Sequence, residues 1–330
     1  MLKSPTGLFS GTLFTGSGIA IASLGAYAVL SRLLGFDYGL YVASAIVFTG
    51  ISAGFIVGSP DGYKGAPEAA ALAPRPLVSP KVLFAGLAAL VLAEELLLDS
   101  VYSSAGLTVA LVSMITLPLI APVVANGNRA ARISVEAMAL VFATRVVVAP
   151  FPLGYFNVAS YIPVVYALVL TGTIAYLTFR KVSAREVRLV RGKGNLALVL
   201  GAGVGIGTLM GVVEHFILHP GSILGTSNLF ENLLYLTVVM VVFVAVTEEL
   251  LFRGVLMGSL GQMMPPWQAI CFSSVIFGQM HLGWFSPLEV IFAYSAGVVF
   301  GYFAYRTDSL LGPIVAHGLD NIVLFLLGIV

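Results

Sequence analysis

Charge is what this chain has least of. Only 16 basic and 15 acidic residues are spread over 330 positions, and they nearly cancel to a formal +1. So even a balance provides no field for nucleic acid or for an acidic partner. Cysteine is almost missing: Cys271 stands alone, which excludes a disulfide within the chain and leaves the redox compartment unread. Low-complexity tracts and long repeats are absent as well. What fills the chain is apolar. Hydrophobic residues make up 59% of it and charged ones 9%, a composition that soluble domains do not have. The class is an all-α, polytopic membrane helix bundle.

A spanning helix needs about 20 apolar residues. Such windows fall near 8–30, 39–58, 82–98, 105–125, 133–150, 157–179, 195–217, 233–252, 267–283, 287–305 and 313–330, so about eleven transmembrane helices are expected. The first window is too long for the apolar core of a signal peptide and is read as a retained helix. Between the sixth and seventh windows lies the basic stretch 180–194. It divides the chain into front helices (1–179), a cytoplasmic linker (180–194) and rear helices (195–330).

Numbering the loops alternately puts Arg32 and Arg145 on one side and the other fourteen of the 16 basic residues opposite. Cytoplasmic loops collect Lys and Arg. The expectation is therefore a multi-pass protein of the cell membrane with a cytoplasmic N-terminus. The stretch 180–194 is then chiefly a topology determinant, with an anionic-lipid patch as the other reading.

The most unusual residues end the run that leads into Thr247-Glu248-Glu249-Leu250-Leu251-Phe252-Arg253. A carboxylate in a membrane helix costs roughly 2.5 kcal/mol or more at the bilayer centre unless it is paired or hydrated. Glu249 and Arg253 are i and i+4, with Glu on the favourable N-terminal side. Glu248 points about 100° away and has no mate in its own helix. Taken alone, it is an interfacial acid reaching water or an acid with a function.

Two further pairs share this i, i+4 relation: Phe277 with His281, and His317 with Asn321. Each alone reads as helix packing. The break at Gly261-Gln262-Met263-Met264-Pro265-Pro266 folds two helices into a hairpin that sets position 248 level with about 280. The last helix begins near Gly312-Pro313, so His317 and Asn321 sit roughly 6–12 Å along it at 1.5 Å per residue. All four polar groups can then meet in one shallow cavity. This requires Gly283-Trp284-Phe285-Ser286-Pro287 to be a re-entrant bend.

Glu248-Glu249 with Arg253, Phe277 with His281 and His317 with Asn321, in that order on successive helices, resemble the CAAX-protease and bacteriocin-processing family, which includes type II CAAX prenyl proteases and Abi proteins. Tyr305-Arg306-Thr307-Asp308-Ser309-Leu310 running into His317 resembles the family's last motif. The resemblance covers about 231–330. It implies an intramembrane glutamate-type endopeptidase acting on a membrane-associated protein or peptide. Glu248 would be the base that activates water and His281 would help hold that water. His317 and Asn321 would form the oxyanion hole, and Glu249, Arg253 and Phe277 would give structural support. It implies no cofactor and no metal, although one Glu and two His have the chemistry to hold zinc. The family also contains members linked to bacteriocin immunity, so a non-proteolytic immunity or scaffold protein is the second reading. A transporter is the third, disfavoured because no paired broken helices appear in two repeated halves.

Other polar groups in apolar windows have structural readings. Glu94-Glu95 has Asp99 where an Arg would be needed and is read as a solvated helix end. Glu214, His215 and His219 offer a possible metal face but read better as an interfacial cluster. Glu136 needs a partner that the sequence does not name. The Gly, Ala and Ser of the first helices read as close helix packing.

Overall fold

The computed structural model describes residues 74–148, 158–220 and 229–328. Nine helices lie among them, with no strand. They are α1 (Pro80–Leu98), α2 (Ser103–Ala125), α3 (Arg129–Val148), α4 (Val158–Phe179) and α5 (Leu196–Leu218), then a composite rod α6, and α7 (Pro266–Gln279), α8 (Pro287–Thr307) and α9 (Leu311–Leu327). Each of the nine apolar windows within these residues is a helix. The windows 8–30 and 39–58, with the two helices expected there, lie outside the described residues. Five helices are long and apolar enough to cross a membrane: α2, α4, α5, α6 and α8.

The ends follow from local chemistry. Proline stands in the first turn of α1, α7 and α8, where its missing N–H is no loss. Asn195 caps α5 by accepting from Ala197 N at 2.9 Å, and Ser286 caps α8 through Glu289 N at 3.3 Å. α6 is the exception. It runs as α-helix over Leu229–Leu236, π-helix over Thr237–Ala245, one α turn over Val246–Glu248, π-helix over Glu249–Leu256 and α-helix over Met257–Leu260. Long π stretches are rare, and π turns concentrate at functional sites. Here they flank Glu248 on both sides.

Two contacts place the rear helices. α5 lies along α9 with Gly203, Gly207 and Gly211 as its contact ridge. A Cβ on Gly207 would fall on the carbonyl of Ala316, the residue before His317. Only glycine lets the two backbones approach so closely. α6 and α7 form the expected hairpin, in which Ser273 Oγ donates to Phe252 O at 2.8 Å and the rings of Phe252 and Phe277 are 5.2 Å apart. The expected re-entrant bend is a short 3₁₀ turn, Leu282–Trp284, closed by Phe285 at φ 54°.

The basic stretch 180–194 is tied to both halves. Arg129 pairs with Glu186 at 2.5 Å. Leu310 N donates to Arg188 O at 2.9 Å, and Arg188 reaches Arg253 O at 3.3 Å. Partial burial pushes the Glu186 carboxyl up, but hydrogen bonds from Arg129 and Ser183 outweigh it and hold the group below its usual range.

Glu136 finds its partners across sequence. Arg132 donates to it at 3.0 Å, Tyr176 at 3.1 Å and Arg180 Nε at 2.7 Å. Two expectations are corrected. Glu94 and Glu95 are not a solvated helix end: they are 0% and 2% exposed, and Arg145 grips Glu95 with bonds of 2.6 and 3.0 Å. The ends of α1 and α3 meet, so each charge is covered by the other helix. Glu214 is likewise buried rather than interfacial, because α8 and α9 bring Glu289 and Asp320 against it. His215 is spent on the carbonyl of Leu324 at 3.0 Å, and no metal-holding group of side chains exists among the described residues.

Candidate functional site

Glu249 is fully buried, and Arg253 Nη1 donates to its Oε1 at 2.9 Å. The pairing read from the i, i+4 spacing is present, but a second partner joins it. His317 Nδ1 lies 2.9 Å from the same oxygen. A carboxylate can only accept, so Nδ1 carries the proton and the tautomer is set. The other ring nitrogen, Nε2, therefore faces Glu248, 3.6 Å from Oε2. That gap is too long for a hydrogen bond and too short for a water to stand between the two atoms, so a water can reach both only from the side. Glu248 is the more open of the two acids, at 17% side-chain exposure.

His281 stands just past the end of α7, immediately before the 3₁₀ turn Leu282–Trp284. Its Nδ1 donates to Phe277 O at 2.8 Å, which leaves Nε2 free. Phe277 stands between the two imidazoles, with ring centroids 4.7 Å from His281 and 5.8 Å from His317. The Arg253 guanidinium sits 4.3 Å over its face, a cation–π contact in a buried setting. Phe300 stacks on the other side of His317 at 5.5 Å. Asn321, one turn beyond His317 on α9, is half-buried.

Glu248 and His281 line one cavity of about 160 Å³, together with Thr144, Arg145 and Tyr166. This volume holds several waters, since one needs about 10–15 Å³ on the same measure. Six of the seven residues picked from sequence (Glu248, Glu249, Arg253, Phe277, His281 and His317) form one connected group, of which Glu248, Phe277 and His281 line the cavity.

Three polar residues at the site escaped the sequence reading. Tyr166 Oη donates to Glu248 Oε1 at 2.5 Å. Arg145, fixed by Glu95, donates to the carbonyl of Met280, the residue before His281. All three lie on front helices far from the motifs. The only signal they leave in sequence is a polar group inside an apolar window. Arg145 lines the site cavity, because the ends of α1 and α3 meet the α7–α8 turn there.

Two acids and two imidazoles thus meet within the helix bundle, with Glu248 and His281 at the wall of a water-sized cavity. Residues 230–323 match the family model described as Type II CAAX prenyl endopeptidase Rce1-like, which supports a CAAX-protease-like intramembrane endopeptidase at the level of the family. Neither a curated protein nor a solved structure matches the chain.

Proposed function

We propose that the protein hydrolyses a peptide bond of a membrane-associated protein or peptide by a metal-independent, glutamate-driven attack of water. The observation that carries this reading is Glu248, whose Oε2 lies 3.6 Å from His317 Nε2, at the wall of a cavity that also presents His281. A water in the cavity beside Glu248 can give it a proton while its oxygen attacks the scissile carbonyl. The free Nε2 of His281 is placed to accept a hydrogen bond from that water. Protonated on Nε2 as well, His317 becomes an imidazolium held by Glu249, in the manner of an imidazole oriented by a buried acid. Its Nε2–H and the Asn321 amide would then donate to the oxyanion. The tetrahedral intermediate collapses as Glu248 returns the proton to the leaving amine.

The charges support this assignment. Glu248, Glu249, Arg253 and a protonated His317 sum to zero, and buried charge is tolerated when compensated. The family name makes a prenylated C-terminal peptide the first substrate to try. The side bearing 180–194 would be cytoplasmic.

The test uses liposomes holding the purified protein and either a prenylated CAAX peptide or an unprenylated lipid-anchored peptide. The wild type is expected to release a C-terminal fragment, and Glu248→Gln to release none while keeping its thermal melt. Undiminished cleavage by Glu248→Gln would remove Glu248 from the chemistry.

A further inference from the structure

We propose that Tyr166, on a helix outside the segment that matches the endopeptidase family, is a positioning residue for Glu248: its hydroxyl holds Oε1 and leaves Oε2 as the oxygen that takes the proton from water. The inference rests on the hydrolytic reading above and adds a part to it from the front half of the chain.

The geometry is specific. The phenol donates to Oε1 at 2.5 Å, the short range typical of a hydroxyl on a carboxylate. The ring packs with the cluster built on Leu236, Val239 and Met240, so α4 and α6 fix where the hydroxyl stands. Tyr166 also lines the cavity beside Glu248 and His281. Among the described residues no hydrogen bond engages Oε2. His317 Nε2 is 3.6 Å from it, and His281 has already committed Nδ1 to Phe277 O.

A glutamate's terminal torsion is broad and roughly two-fold. Without an anchor, Glu248 can present either oxygen to the water at a range of angles. The wide π-helical turns on both sides of Glu248 do not fix that torsion. Tyr166 does, and converts a rotating carboxylate into a base with one working oxygen. Loss of such orientation reduces turnover, by about 10²-fold for a misplacement near 1 Å.

The experiment compares wild type, Tyr166→Phe, Glu248→Ala and the double variant, in liposomes with the prenylated CAAX peptide. Tyr166→Phe keeps the packed ring and removes only the hydroxyl. Expected is a fall in kcat of about 10- to 100-fold with KM changed less than two-fold, because the peptide still binds. In the second arm, melting temperature is followed in all four proteins. Tyr166→Phe is expected to lower it more in the wild-type background than when Glu248 is already Ala, since the hydroxyl then has no carboxylate to hold.

A wild-type kcat in Tyr166→Phe, with Glu248→Ala inactive, would overturn the role of Tyr166 and leave the hydrolytic reading standing. Full activity of Glu248→Ala would overturn the hydrolytic reading itself. An equal melting shift from Tyr166→Phe in both backgrounds would show the hydroxyl serving the fold rather than Glu248, and would end the proposal without any cleavage assay.

Discussion

His317 Nδ1 and Glu249 Oε1 are 2.9 Å apart, on helices separated by 68 positions in sequence. Glu249 is thereby the acid that neutralises Arg253 and also the acid that sets the tautomer of His317. In the proposed mechanism stability and activity meet on one carboxylate, and substitutions can pull them apart.

Arg253→Met leaves Glu249 buried with less of its counter-charge. The expected loss is about 3–5 kcal/mol, as for one removed partner of a buried pair, read as a lower thermal melt. The double variant Glu249→Leu, Arg253→Met should recover much of that stability and still fail to cleave peptide, because His317 then has nothing to hold its Nδ1 proton. A double variant that cleaves normally would show that Glu249 acts only as the partner of Arg253.

Gly207 and Gly205 separate packing from propensity. Gly207→Ala drives a methyl into the carbonyl of Ala316, so α9 must move and carry His317 with it. Loss of both melt and peptide cleavage is expected. Nothing lies within 4 Å of a Cβ on Gly205, and Gly205→Ala should stabilise by up to about 1 kcal/mol through helix propensity alone. Equal effects of the two changes would contradict the close approach of α5 and α9.

Arg145 joins α1, α3 and the turn carrying His281. Arg145→Met removes both bonds to Glu95 and the donor to Met280 O. The expected outcome is destabilisation of about 3–5 kcal/mol from the stranded acid. Turnover should fall further than Glu95→Gln produces, because only the arginine touches the His281 turn. Melts and peptide cleavage, measured on both variants, decide it.

Tyr176→Phe tests the cluster on Glu136. It removes one of three donors to that carboxylate and leaves Arg132 and Arg180 in place. A loss of about 1 kcal/mol is expected, the usual net value of one hydrogen bond. Cleavage should be unaffected. A loss several-fold greater would mark the phenol as essential to holding α3 against α4.

Partial truths came from counting. The apolar windows gave nine helices in the described residues, and the i, i+4 rule gave the Glu249–Arg253 pair. The break at 261–266 set Glu248 opposite the α7 stretch that ends in His281. Glu94-Glu95 was read as solvated because that reading had no access to the neighbouring helix.

Sequence by itself determined the elements with local causes. Those are the apolar runs that need no partner to be recognised, the caps and prolines that end them, and the one acid left without a mate in its own helix. Tertiary structure decided who answers that acid: Tyr166 at one oxygen and His317 facing the other. It also paired Glu95 with Arg145 and surrounded Glu136. The physical reason is that helical periodicity fixes only which side chains share a face. A buried charge must be satisfied by whatever arrives from elsewhere, and glycine-to-backbone contacts such as Gly207 on Ala316 set which helix arrives and how closely.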